Sequence, residues 1–310
     1  MFRKVLFPTK FEEFSLPILQ SICCLKRAGL EEMVLLHVID RDILSTEVDG
    51  GLPVMVDLIR ESLKSSIDMI SEAASKRLSE YADYLRAEGI GVQTKVVMGK
   101  VVAEIINAAT ENDVSLIVAG RQKRDVLGEI FVGSTSDRVI RKSNVPVLVA
   151  KYHTIQMVWE EVQEKFCTDM FRKILYPTDW SPCSERAKGY LSLLHGAGAS
   201  EVVLAHVIED FSDVADVPEQ LKLEAQAAIT KKSREGLVQL KQELEAVGFK
   251  VTTTILYGEP YRAIIRIATE EDVSMIVMGS HGRGFIEGIL WGKVSQRVVE
   301  YSEKPVLVVK

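Results

Sequence analysis

Short apolar runs alternate with longer amphipathic stretches along this chain, and the alternation occurs twice. Lys4–Phe7, Met33–Ile39, Val92–Met98, Ser115–Ala119 and Pro146–Ala150 are compact apolar segments and predict strands. Between them, apolar residues recur at helical spacing over roughly Leu16–Ala28, Val54–Glu88, Val101–Thr110 and Ser134–Lys142. The Val54–Glu88 stretch is rich in good helix formers, with Leu58, Leu63, Ile67 and Ile70 on a helical period. The second half repeats the order. Strands are predicted at Lys173–Tyr176, Val202–Ile208, Lys250–Leu256, Ser274–Met278 and Pro305–Val309, and helices at Ser184–His195, Glu219–Val247, Tyr261–Thr269 and Val294–Ser302.

The repetition extends to the residues themselves. FRKVLFPT at 2–9 returns as FRKILYPT at 171–178, and MVLLHVID at 33–40 as VVLAHVIE at 202–209. EGIGVQTKVVMGK at 88–100 matches VGFKVTTTILYGE at 247–259, ENDVSLIVAG at 111–120 matches EEDVSMIVMG at 270–279, and NVPVLVA at 144–150 matches KPVLVV at 304–309. A period of this length marks a tandem duplication. It predicts two domains of one fold, 1–151 and 171–310, joined by the unmatched segment 152–170. That segment has no Pro or Gly, and Met157, Val158, Val162 and Phe166 share a helical stripe, so a short helical linker is expected.

Strands alternating with helices imply a parallel sheet covered on both faces, wound by right-handed crossovers. In such α/β sheets ligands bind beyond the carboxyl ends of the strands, where strand order reverses. The sequence does not give the order. With order 3-2-1-4-5 the reversal falls between strands 1 and 4, and Pro177, Thr178 and Asp179 then face the loop after the fourth strand.

That loop is the strongest chemical signal. Met275–Met278 runs into Gly279, then Ser280, His281, Gly282, Arg283, Gly284 and Gly288, and Gly292 opens the next helix at Lys293, Val294 and Ser295. Glycines permit positive φ and close backbone approach, and a helix start offers orphan N–H donors with partial positive charge. Together they suit a phosphate group. A tight connection that holds nothing is the alternative reading of such a loop.

Composition narrows the classes. The 310 residues are 47% hydrophobic and 26% charged, with a net charge of −6. Nucleic acid would demand a basic face, so it is not an expected partner. No run approaches a membrane span, and the start MFRKVLFPTK lacks a signal-peptide core, so a cytoplasmic location is expected. Cys23, Cys24, Cys167 and Cys183 form no CxxC pair and no zinc spacing with His, and are expected to be thiols.

HVID and HVIE, the PTD after the first strand of the second copy, the MGSHGRG loop, the glycine ten residues on and the closing KPVLVV together resemble the universal stress protein family, of the adenine-nucleotide-binding type. The resemblance covers both copies. It implies Rossmann-like domains of the adenine nucleotide alpha hydrolase type, order 3-2-1-4-5, binding ATP or AMP, with Mg²⁺ accompanying ATP. The family loop is G-x2-G-x9-G followed by Ser or Thr. Gly279, Gly282 and Gly292 match it, while Lys293 stands where the family has a hydroxyl. Asp179 matches the position that accepts from the adenine ring and Val207 the one lining its pocket, with Pro177, Thr178, Met278, Ser280, His281, Arg283, Val294 and Ser295 around them. In the first copy Gly120, Gly133 and Ser134 match, with Pro8, Thr9, Val38 and Thr135 alongside. There Lys123 replaces the middle glycine and Lys10 the adenine aspartate. A lysine ammonium cannot accept a hydrogen bond, so the second copy is expected to carry the main site.

No nucleophile–base–acid set is evident: no GxSxG, no HExxH, no GxxxxGK followed by Ser or Thr. His37 and His206, near the ends of the second strands, read as structural histidines. Asp179 reads either as a ligand group or as a helix cap beside Ser181 and Ser184. The fifth strands end their domains, and an edge strand needs a partner. Pairing them within the chain is expected, and the family resemblance points the same way; assembly into a homodimer is left open. The alternatives to a regulatory nucleotide binder are a slow ATPase or phosphotransferase, and a nucleotide-free dimerisation scaffold.

Overall fold

The computed structural model describes residues 2–11, 15–41, 53–121, 134–151, 171–209, 218–282 and 291–310. The expected linker helix, Lys123, Gly133 and Arg283 lie outside them. The first copy runs β1 (Lys4–Pro8), α1 (Ser15–Ile22), β2 (Glu32–Asp40), α2 (Pro53–Ala87), β3 (Gly91–Gly99), α3 (Val101–Glu111), β4 (Leu116–Arg121), α4 (Ser134–Lys142) and β5 (Val147–Lys151). The second runs β6 (Lys173–Pro177), α5 (Pro182–Gly196), β7 (Glu201–Ile208), α6 (Glu219–Val247), β8 (Lys250–Tyr257), α7 (Pro260–Glu270), β9 (Met275–Gly279), α8 (Lys293–Tyr301) and β10 (Val306–Val309).

The strands form one sheet in the order β3-β2-β1-β4-β5-β10-β9-β6-β7-β8. Each copy therefore has the 3-2-1-4-5 order, parallel throughout. β5 and β10 meet antiparallel, with Leu148 opposite Leu307. The near-continuous Val, Ile and Leu runs follow from burial on both faces. In β6, Ile174 and Tyr176 point into one core and Leu175 into the other. The first core is covered by α1, α2, α5 and α6, the second by α3, α4, α7 and α8, and each core continues across both copies.

Two expectations are corrected. The helix predicted over Leu16–Ala28 is α-helical only to Ile22 and tightens into a 3-10 helix over Cys23–Ala28. It stops at Gly29, whose φ of 89° lets its N–H reach the Lys26 carbonyl at 3.0 Å. The second correction concerns the cysteines. Cys23 and Cys183 are free thiols, but Cys24, 2% exposed, is disulfide-bonded. Spacing along the chain does not report which sulfurs folding brings together. Cys167 lies outside the described residues.

Candidate functional site

β6 and β9 are neighbours with their carboxyl ends at the same edge, where strand order reverses. The chain leaves β6 through Thr178, Asp179, Trp180 and Ser181 before α5 begins. This turn is held by short side chains. The Thr178 hydroxyl accepts from the Trp180 N–H at 3.1 Å and lies 3.2 Å from the Ser184 hydroxyl. Asp179 Oδ1 accepts from the Ser181 N–H at 3.1 Å, an Asx turn. Ser181 is the N-cap of α5, its hydroxyl accepting from the Ser184 N–H at 3.2 Å. Of the two roles open to Asp179, the cap itself belongs to Ser181.

The other half of the site leaves β9. Gly279 lies against the start of α5: a Cβ there would come within 2.7 Å of the Cys183 carbonyl carbon and the Ser184 nitrogen. The Ser280 N–H donates to the Val309 carbonyl at 2.7 Å, and its hydroxyl lies 2.8 Å from His281 Nδ1. The Gly292 N–H returns to the Ser280 carbonyl at 2.9 Å, which closes the loop at its base. A Cβ at Gly292 would lie 3.2 Å from that carbonyl oxygen and 3.3 Å from His281 Cα. None of Gly279, Gly282 and Gly292 has positive φ. Their lack of a side chain serves close approach rather than a left-handed backbone.

The two halves touch. The Ser181 hydroxyl donates to the His281 carbonyl at 3.1 Å, and a Cβ on Gly282 would stand 2.6 Å from Asp179 Oδ2. Asp179, Ser181, Gly279, Ser280, His281, Gly282 and Gly292 are thus brought together. α8 begins at Lys293 with Gly292 as N-cap and no side-chain cap. The N–H groups of its first turn, Lys293, Val294 and Ser295, have no intrahelical acceptor. The Ser295 hydroxyl donates to the Gly279 carbonyl at 2.8 Å, so it braces the loop rather than offering a donor into it. Lys293 is exposed. Val207 and Met278 face the α7–α8 side, Met278 buried and Val207 half-buried. Pro177 ends β6.

The first copy has the same frame with a different filling. Pro8 ends β1, Thr9 is buried, Val38 packs on the second core, and Lys10 is exposed where the second copy has Asp179. Gly120 lies in β4, Ser134 opens α4 and Thr135 is half-buried.

A feature not anticipated from the sequence sits beside each site. Trp180 and Phe11 both take left-handed backbones, with φ of 57° and 60°. Each packs its ring on a histidine, Trp180 on His206 at 4.3 Å and Phe11 on His37 at 4.6 Å. Each histidine fixes its Nδ1 on a strand-end carbonyl, Thr178 at 2.7 Å and Thr9 at 2.9 Å. The signal was present: an aromatic stands two residues after the threonine in both copies, PTKF and PTDW.

The model of the universal stress protein family matches residues 1–151 and again 170–310. A universal stress protein of Methanocaldococcus jannaschii is 39% identical over 155 residues, 46% of this chain and 96% of its own length. One from Mycolicibacterium smegmatis is 24% identical over 284 residues, 90% of this chain and 87% of its own. The crystal structure of a universal stress protein from Archaeoglobus fulgidus covers 99% of this chain and 96% of that one, with a TM-score of 0.68 at 27% identity. With both copies matched, the chain belongs to the universal stress protein family as a tandem member.

Proposed function

We propose that the protein is a cytoplasmic regulator that binds an adenine nucleotide, ATP or AMP, mainly in the second of its two domains, and answers stress by changing conformation or assembly with occupancy. The observation that carries this reading is the close approach of Gly282 to Asp179 Oδ2, a Cβ there standing 2.6 Å from that oxygen, which sets the end of β6 beside the glycine loop after β9. The donor set fits the ligand. Asp179 accepts from the purine's amino group, Val207 and Met278 give an apolar wall, and the backbone N–H groups at Gly282 and the start of α8 receive the phosphates. Arg283 and Lys293 add positive charge for the anion, and Mg²⁺ would enter only together with ATP. Among the described residues no His, Cys, Asp and Glu group could hold a metal ion, and no helix is long and apolar enough to cross a membrane.

Domain 1 (1–151), with Lys10 in place of the aspartate, is a weaker or structural counterpart of domain 2 (171–310). Intramolecular pairing of β5 with β10 holds the two together, as the antiparallel register between them supports. Isothermal titration of the full chain with ATP, ADP and AMP tests the reading. Binding of one nucleotide, reduced at least about tenfold by Asp179→Ala, is expected. No heat and no thermal shift at millimolar nucleotide would overturn it.

A further inference from the structure

The aromatic turn that follows Asp179 packs on the α5–α6 side of the sheet, opposite the face that Val207 and Met278 line in the proposed nucleotide site. His206 packs with α5 and α6, whereas its neighbour Val207 points to α7 and α8. Between α5 and α6 lies a cavity of 630 Å³ walled by Trp180, His206, Ile229, Gly236 and Leu240. Charged side chains ring its mouth: Glu185, Glu235 and Glu243, with Lys188 and Lys232. Lys188 is shared by two of the carboxylates, Glu185 at 2.9 Å and Glu243 at 2.8 Å.

The duplication shows what such a space accommodates. α2 and α6 correspond residue by residue: Ala74, Leu78 and Leu85 are buried where Ser233, Leu237 and Leu244 are buried. In this register Gly236 is the counterpart of Arg77. Arg77 lays its guanidinium 4.9 Å from the centre of the Phe11 ring, beside Tyr81. The first copy thus sets a cation of its own, on an exposed side chain, over the aromatic ring. The second copy has no cation at that position, and three carboxylates with two ammonium groups, Lys188 and Lys232, surround it instead. Glu185, Glu235 and Glu243 stand where the first copy has Leu16, Lys76 and Tyr84. Gly236 also lets the indole lean close, a Cβ there meeting Trp180 Cζ2 at 2.9 Å.

We propose that this cavity is a second ligand site, taking a small organic cation of the alkylguanidinium class that lies against Trp180 beneath the three carboxylates. The ring face attracts the cation, and the apolar side chains of Ile229 and Leu240 partly shelter it from water. The excess of carboxylate over ammonium at the mouth selects the sign. The same guanidinium chemistry belongs to a free metabolite and to an arginine side chain of a protein partner.

Titration calorimetry on the full chain uses agmatine for the first source and an acetylated, amidated arginine peptide for the second. Saturable one-to-one binding of either is expected; binding of the peptide alone assigns the site to a protein partner. The double variant Trp180→Phe/Gly236→Arg restores the first copy's pair and is expected to weaken binding by at least about tenfold, while ATP titration and melting temperature hold. Glu235→Lys, at an exposed position, is expected to weaken it several-fold and serves if the double variant does not fold. Silence of both probes at 10 mM (roughly the weakest affinity worth a site), or unchanged affinity in the folded variants, overturns the proposal. Because ATP is titrated separately, failure here leaves the nucleotide reading standing.

Discussion

At the scale of single residues, the candidate site depends on atoms that are missing. Gly282 has no Cβ, and one placed there would stand 2.6 Å from Asp179 Oδ2. Gly282→Val is therefore expected to displace the carboxylate and lower ATP affinity by at least about tenfold. Its melting temperature should stay within a few degrees of the parent, since Gly282 is exposed. Calorimetry and a thermal scan on the same preparation separate the two effects. Lys310 gives a prediction in pH. Burial pulls its ammonium from 10.5 down to about 8. Between those values the unfolded chain holds a proton that the folded chain has released, so this group adds stability as pH rises. Burial pushes the Cys23 thiol from 9.0 and the Tyr176 phenol from 10.0 up to about 12, and both act in the opposite direction above their unfolded values. Cys23 acts equally in parent and variant, so comparison with Lys310→Met between pH 8 and 9 isolates Lys310. There, urea midpoints of the parent should climb relative to those of Lys310→Met, and parallel curves would refute the assignment. The glycines were legible in the sequence because their spacing is itself the signal, and Asp179 because it directly follows a strand and matches a position of the family it resembles. The Ser181–His281 bond was not, since it joins segments a hundred positions apart whose approach depends on the strand order.

At the scale of elements, the first turn of α5 is where strand, helix and loop are locked. Tyr176 donates its hydroxyl to the Ser184 carbonyl at 2.6 Å, Ser181 caps the helix, and Gly279 lets β9 lie directly on the helix backbone. Gly279→Ala would push a methyl to 2.7 Å from backbone atoms that have no rotamer to escape into. A loss of about 1–3 kcal/mol is expected, visible as a lower urea midpoint with an unchanged slope. Most elements were readable, because a parallel sheet buried on both faces writes its strands as plain apolar runs and its helices as amphipathic ones. The 3-10 turn over Cys23–Ala28 was not readable. Its apolar spacing does not distinguish a tightened turn from a continuing α-helix, and only the carbonyls that Gly29 reaches decide it.

At the scale of the molecule, the seam between β5 and β10 turns two half-sheets into one. Side chains reinforce it: buried Lys151 donates to the Val299 carbonyl at 2.7 Å, and the Arg141 guanidinium stands 5.5 Å from the centre of the Trp291 ring, next to Gly292. A separated second copy, 171–310, would expose β10 as an open apolar edge. It is expected to form a dimer through β10, measurable by light scattering, whereas Val308→Pro in the same fragment should leave it monomeric. A fragment that stays monomeric without the proline would contradict this. The duplication, and with it the two-domain plan, was legible from repeated strings. How the halves join was only an expectation, because an edge strand announces that it needs a partner without naming one.

Covalent fusion has one further consequence. A dimer of identical chains must carry every substitution twice, at both symmetry-related places. Here each half mutates alone, so one aromatic turn keeps an arginine over Phe11 while its twin has Gly236, against which the Trp180 indole itself leans. A single polypeptide can thus specialise its left and right hands, which no symmetric pair encoded by one gene of half the length could do.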